Sequence, residues 1–168
     1  LLADDGPVLS NELEFPTVTL PWIHRGAQVA LLPAVEGVVR LEPYEVTSAG
    51  RSWTIVLSHV QFSNGCRQDP DAFGAIKADR RFVVCGSQSA GVFPIDVVKS
   101  RIDALATAGH KWLCYGYGAG FVYISRALLE ARAPRVVGWR SVEDPFAFDN
   151  RKVRLLSSNR RSELGCPS

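Results

Sequence analysis

The residue of this chain best suited to chemistry is a lysine that follows an apolar run and sits between a histidine and a tryptophan. The stretch is Ala108-Gly109-His110-Lys111-Trp112-Leu113, and it leads into the glycine-spaced segment Gly116-Tyr117-Gly118-Ala119-Gly120-Phe121. Lysine is a poor choice for an apolar site unless its amine is used. Desolvation favours the neutral amine, and a neutral amine condenses with an aldehyde to form a Schiff base. A second segment, Phe82-Val83-Val84-Cys85-Gly86-Ser87-Gln88-Ser89-Ala90-Gly91, is a short apolar run that ends in small and polar residues. A buried strand emptying into a site has this pattern.

The elements that must hold these residues follow from periodicity and punctuation. Pro16 to Gly26 reads as a helix opened by proline and closed by glycine, with Pro21 predicting a kink. Gln28 to Leu32 reads as a short strand, and Gly37 to Leu41 as another on weaker grounds. Trp53 to Leu57 is β-branched and apolar, the composition of a buried strand. Pro70 to Ala78 predicts a helix. Arg81 to Val84, Ile102 to Ala106 and Phe121 to Ile124 predict strands. Ser125 to Arg132 predicts a helix capped by its serine. Strands alternating with helices specify an α/β fold, a mostly parallel sheet covered on both faces in three α/β/α layers. Ligands of such sheets lie beyond the carboxyl ends of the strands. That rule brings Ser58-His59, Cys85 to Gln88 and His110-Lys111 to one region.

Composition narrows the function classes. The 168 residues suffice for one domain with a core, and 46% hydrophobic with 21% charged residues is ordinary for a globular protein. The net charge of +2 without a basic stripe argues against nucleic acid as a partner. No apolar run approaches the ~20 residues of a membrane helix, and no signal peptide is visible at Leu1. The cysteine spacings make a cytoplasmic protein with free thiols the expectation. Cys66, Cys85, Cys114 and Cys166 form no C-x-x-C pair, and His24, His59 and His110 are scattered. No metal site is expected from these spacings. The absence of methionine, with leucine at position 1, suggests an incomplete translation product.

The histidine-lysine pair after its apolar run, with Gln88-Ser89-Ala90-Gly91 upstream, resembles the class V aminotransferase family of pyridoxal-phosphate enzymes. That family includes cysteine desulfurases, selenocysteine lyases and isopenicillin-epimerase-like proteins. Further matching pieces are Glu14-Phe15-Pro16 with Pro21-Trp22, Ser58-His59-Val60, Pro94-Ile95-Asp96-Val97, Gly138-Trp139 and Arg160-Arg161-Ser162-Glu163-Leu164-Gly165. The resemblance implies the large domain of a fold type I pyridoxal-phosphate transferase. Residues 1–168 would be a partial large domain, without an N-terminal part and a C-terminal small domain. It implies pyridoxal 5'-phosphate as cofactor, an amino acid as substrate and a homodimer when intact. Residue by residue, Lys111 matches the Schiff-base lysine and His110 a histidine beside the cofactor phosphate. Gln88 matches a glutamine bonding the phenolic oxygen, and Phe15 the ring that stacks on the pyridine.

The chain departs from the family at four positions. Cys85 stands where relatives carry the aspartate that pairs with the pyridine nitrogen, and a thiol is a weak, largely neutral partner. Ala108 stands where the family commonly has a serine or threonine whose hydroxyl reaches the phosphate. Phe62 replaces the asparagine of cysteine desulfurases and argues towards the epimerase-like or less characterised branch. Cys166 occupies a place where relatives often have threonine, in a segment that can contribute to the partner subunit's phosphate site.

Rival motifs are weaker. Gly116 to Gly120 lacks a full G-x-G-x-x-G and leads into a strand, where a dinucleotide fingerprint opens a helix. Gly86-Ser87-Gln88-Ser89 does not fit the hydrolase elbow. Asp96 and Asp103 have the flanks of ordinary loop and strand ends. Two functions remain. One is a class V enzyme, or part of one, working by transamination, epimerisation or elimination through Lys111. The other is a catalytically impaired relative that keeps the fold, motivated by Cys85 and Ala108.

Overall fold

A computed structural model describes residues 6–49 and 52–165. Six strands make one sheet: β1 (Val8–Asn11), β2 (Val29–Leu32), β3 (Thr54–Ser58), β4 (Arg81–Cys85), β5 (Ala104–Ala108) and β6 (Gly120–Ile124). Their order is β2-β1-β3-β4-β5-β6. The pairs from β2 through β5 are parallel, and β6 closes that edge antiparallel to β5. The helices are α1 (Pro16–His24), α2 (Glu42–Ser48), α3 (Pro70–Ile76) and α4 (Arg126–Ala131), followed by short 3-10 turns at Trp139–Ser141, Pro145–Ala147 and Asn159–Ser162.

The alternation of side chains along the strands divides the core into two faces. Leu9, Ile55, Leu57, Phe82, Val84 and Leu105 point one way and pack with Tyr44 of α2 and Phe73 of α3. Each such side chain, when fully buried, contributes about 1.5–3 kcal/mol. Ala104, Ile124 and Val83 lie on the opposite face with Leu128 and Leu129 of α4 and Trp22 of α1. Two helices per face give the three layers that the sequence predicts.

Local signals set the helix ends. Pro16 sits in the first turn of α1 after the extended Phe15, and Gly26, at φ +82°, ends the segment. The Asp69 carboxylate accepts the N–H groups of Asp71 and Ala72 to start α3, and the Ser125 hydroxyl accepts the Leu128 N–H to start α4. Lys77, just past α3, reaches Asp103 at 2.5 Å, and the same carboxylate oxygen accepts the Phe82 N–H at 2.8 Å. Asp103 is therefore a structural partner. Asp96 likewise caps a turn, accepting the N–H groups of Val98 and Lys99.

The fold differs from expectation in three places. Gly37 to Leu41 is no strand: Val35 and Val38 bridge each other across a tight turn in which Glu36 and Gly37 both have positive φ. The helix α2 that follows was not foreseen. Strand β1 was not foreseen either, because half of it is polar. Its Ser10 hydroxyl donates to the Val56 carbonyl at 2.7 Å, so a serine is buried without loss.

Candidate active site

The site grows from cross-strand register. Ser58 pairs with Cys85 and Cys85 with Ala106, so the ends of β3, β4 and β5 present a row of small side chains on one face. The row below it is Val56, Val83 and Ala104. Beyond it, Ala108 faces the same way. Above this floor lies a cleft of about 620 Å³, whose lining includes Phe15, Trp22, Val56, Ser58, Phe62, Val83, Cys85, Ser87, Gln88, Ala106, Ala108, His110 and Lys111.

The start of α1 makes one wall. Phe15 packs edge-on against Phe62 with ring centroids 5.1 Å apart, and each residue is 46% exposed. The Lys111 ammonium lies 5.9 Å from the centre of the Phe15 ring, at cation–π range. Lys111 is half-buried, and its neighbour His110, exposed, stacks on Tyr117 at 4.7 Å. A tight turn fixes this pair. The Gly109 N–H donates to Ala119, the Tyr115 N–H to Gly109 and the Cys114 N–H to Lys111. A Cβ at Gly109 would stand 2.9 Å from the Ala119 carbonyl oxygen, which is why glycine precedes the His-Lys pair.

A buried carboxylate ties the wall to the floor. Glu14, 8% exposed, accepts hydrogen bonds from Asn11 Nδ2, the Ser58 N–H, the Ser58 hydroxyl and Gln61 Nε2. Asn11 also reaches the Tyr44 hydroxyl, whose pKa burial pushes far above that of an exposed phenol. Glu14 thus anchors Phe15, its neighbour, to the end of β3. Its signal in the sequence was a lone acid between Leu13 and Phe15, which predicts a buried, partnered carboxylate only in retrospect.

Of the residues singled out from the sequence, Phe15, Cys85, Gln88, His110 and Lys111 all line this cleft. Ser58 joins them, and His59 does not. The His59 imidazole is buried on the other side, edge-on to Phe93, and its Nδ1 has no hydrogen-bond partner among the described residues. Burial, aided by the Arg67 guanidinium and opposed by Asp69, lowers its pKa. Cys85 donates to the Ser87 hydroxyl at 3.4 Å, and Ser87 in turn accepts the Ala108 N–H at 3.2 Å. Ser87 escaped the sequence reading as a site residue, although it lies in the quoted segment. Cys166 lies outside the described residues.

Among the described residues no group of three or more His, Cys, Asp or Glu side chains gathers to hold a metal, and no helix is long and apolar enough to cross a membrane.

Comparison with known proteins agrees with this geometry. The Aminotransferase class-V family model matches residues 2–167. The uncharacterized aminotransferase YcbU of Bacillus subtilis (strain 168) is 30% identical over 164 residues, covering 96% of this chain and 43% of that protein. The cysteine desulfurase IscS of Shewanella pealeana is 38% identical over 101 residues, 57% of this chain and 24% of that one. The crystal structure of the cysteine desulfurase CsdA from Escherichia coli superposes with a TM-score of 0.83 at 25% identity, over 96% of this chain and 41% of its own. The cystine C-S lyase C-DES, in complex with its reaction product cysteine persulfide, shares the fold with a TM-score of 0.81 at 23% identity. The chain spans less than half the length of the curated relatives it matches.

Proposed function

The chain belongs to the class V aminotransferase family, and from that premise we propose that it binds pyridoxal 5'-phosphate through Lys111 and acts on an amino acid. The observation that carries this reading is the meeting of Lys111, Phe15, Gln88 and Cys85, from three separate segments, in one cleft at the carboxyl ends of parallel strands.

The cleft fits a flat heteroaromatic phosphate. Its floor under β5 is made of methyl groups, its wall is an aromatic ring, and an amine stands at its rim. Phe15 and the alanines would enclose the ring faces, the Gln88 amide would donate to an oxygen on the ring, and His110 would stand at the phosphate end. Cys85 would be the side chain beside the ring nitrogen. When bound, the cofactor supplies an electron sink for charge developing at the substrate's α-carbon. With the cofactor bound, Lys111 would hold its aldehyde through Nζ and serve at that same atom as the base for the substrate's α-proton. Transamination, epimerisation and elimination or desulfuration would all draw on that base and differ in the bond made or broken next. Residues 1–168 form part of a cofactor-binding large domain, and the resemblance adds a homodimer in the cytoplasm.

A second reading, a catalytically impaired relative, is favoured by one contact. The Cys85 thiol is already engaged with the Ser87 hydroxyl, and a thiol is a weaker hydrogen-bond partner for a ring nitrogen than a carboxylate. The test is a titration of the complete protein with pyridoxal 5'-phosphate, followed by its visible absorbance and then by addition of amino acids. Absorbance that requires Lys111 and responds to an amino acid supports the enzyme. Absorbance that no amino acid perturbs supports the impaired relative, and a spectrum unchanged in Lys111→Ala overturns the site.

A further inference from the structure

Of the hydroxyls that line the cleft, that of Thr17 is exposed at the start of α1, and among the remaining three one is left without a task by the reading above. Ser58 spends its proton on Glu14, at 2.5 Å. Thr107, buried, donates to the Ala108 carbonyl at 3.3 Å. Ser87 differs from both. Its oxygen accepts from the Cys85 thiol and from the Ala108 N–H, and no hydrogen bond that it donates is found among the described residues. A hydroxyl has two lone pairs and one proton. With the Cys85 thiol as donor of its pair, both lone pairs are occupied by protein, and the proton remains for whatever enters the cleft.

Its position is as specific as its chemistry. Ser87 Oγ sits 3.2 Å from the main-chain nitrogen of Ala108, the residue two before His110. Position 108 itself carries only a methyl group. The hydroxyl is therefore presented from the end of β4 at the place where β5 offers none, in the same lining as the His110 and Lys111 side chains. A donor with a fixed oxygen, in a lining that also holds an imidazole and a lysine nitrogen, suits an oxyanion.

We infer that Ser87 is a cofactor-binding residue whose hydroxyl donates to the phosphate group, supplying from β4 what Ala108 does not supply from β5. The inference rests on the cofactor reading above, and its test separates the two. Affinities of the complete protein are measured for pyridoxal 5'-phosphate and for pyridoxal, which lacks the phosphate. Ser87→Ala should weaken binding of the phosphorylated form about tenfold and leave pyridoxal within about twofold, the size of one lost charge-assisted hydrogen bond. Ser87→Cys, which keeps the shape and weakens the donor, should show the same selective loss. Adding Ala108→Ser to Ser87→Ala should restore most of the affinity, because the hydroxyl returns from the neighbouring strand. Equal weakening for both ligands, or no rescue by Ala108→Ser, would mean that Ser87 only braces the two strand ends, and overturns the inference. If the unaltered protein binds neither ligand, the cofactor reading itself falls, and the inference with it.

Discussion

Ser58 gives both of its donors to one carboxylate: its N–H reaches Glu14 Oε1 at 2.7 Å and its hydroxyl reaches Oε2 at 2.5 Å. The two residues are 44 positions apart in sequence, so this pair staples the start of α1 to the end of β3. Glu14→Ala would leave the Ser58 N–H and the Asn11 and Gln61 amides without an acceptor in a dry place. The expected loss is on the order of 2–4 kcal/mol. Glu14→Gln keeps one acceptor oxygen and should lose roughly half as much. Urea midpoints of the two variants check the order.

Cys85→Asp is expected to raise turnover. A carboxylate facing a protonated ring nitrogen restores a charge-assisted hydrogen bond of about 1.5–3 kcal/mol, or roughly ten- to hundredfold in rate where it acts in the transition state. Steady-state kinetics with the best available amino acid measures it. An unchanged kcat would show that the thiol is not what limits this protein.

Gly91 carries φ +96°, and a Cβ there would stand 2.7 Å from the carbonyl oxygen of Trp112, next to Lys111. Gly91→Ala is strained by about 1–2 kcal/mol from its backbone alone. It must also push the Trp112 peptide, so cofactor affinity should fall on the order of tenfold, reflecting a displaced lysine. Comparing the dissociation constant with the melting temperature separates displacement from general loss of stability.

Acid should weaken the fold before the carboxylates titrate. The lowered His59 pKa means that the unfolded chain takes up a proton near pH 6.5 while the folded chain resists it. The contribution is thus fully present above that value and is lost as pH falls towards the folded pKa. His59→Gln, which cannot charge, should flatten the dependence as pH falls below about 6.5. Denaturant midpoints across that window would test it; an unaltered slope would place the proton elsewhere.

Much of the scaffold was legible because burial on both faces leaves an unbroken apolar run. Thr54–Ser58 and Arg81–Cys85 announce themselves in this way. Val8–Asn11 does not, since Ser10 and Asn11 are buried through side-chain bonds to Val56, Glu14 and Tyr44 that no local pattern reveals. The short Glu42–Ser48 helix has a proline near its start and too few turns for a period to show. For the site, placing three strand ends together needed only the parallel-sheet rule. Which side each residue faces needed register. His59 continues the parity of Ile55 and Leu57 and so left the cleft, and Ser87 gained its importance from a contact with Ala108, 21 positions away.

The methyl-lined floor has a consequence for how such a protein changes over generations. A guest resting on Ala106 and Ala108 lies almost against the peptide backbone, whose course no single substitution redraws. Apart from Cys85 at the end of β4, the side chains that discriminate between guests hang from turns and helix starts at the periphery. The depth of the seat is therefore inherited, and its taste is open to revision one loop at a time.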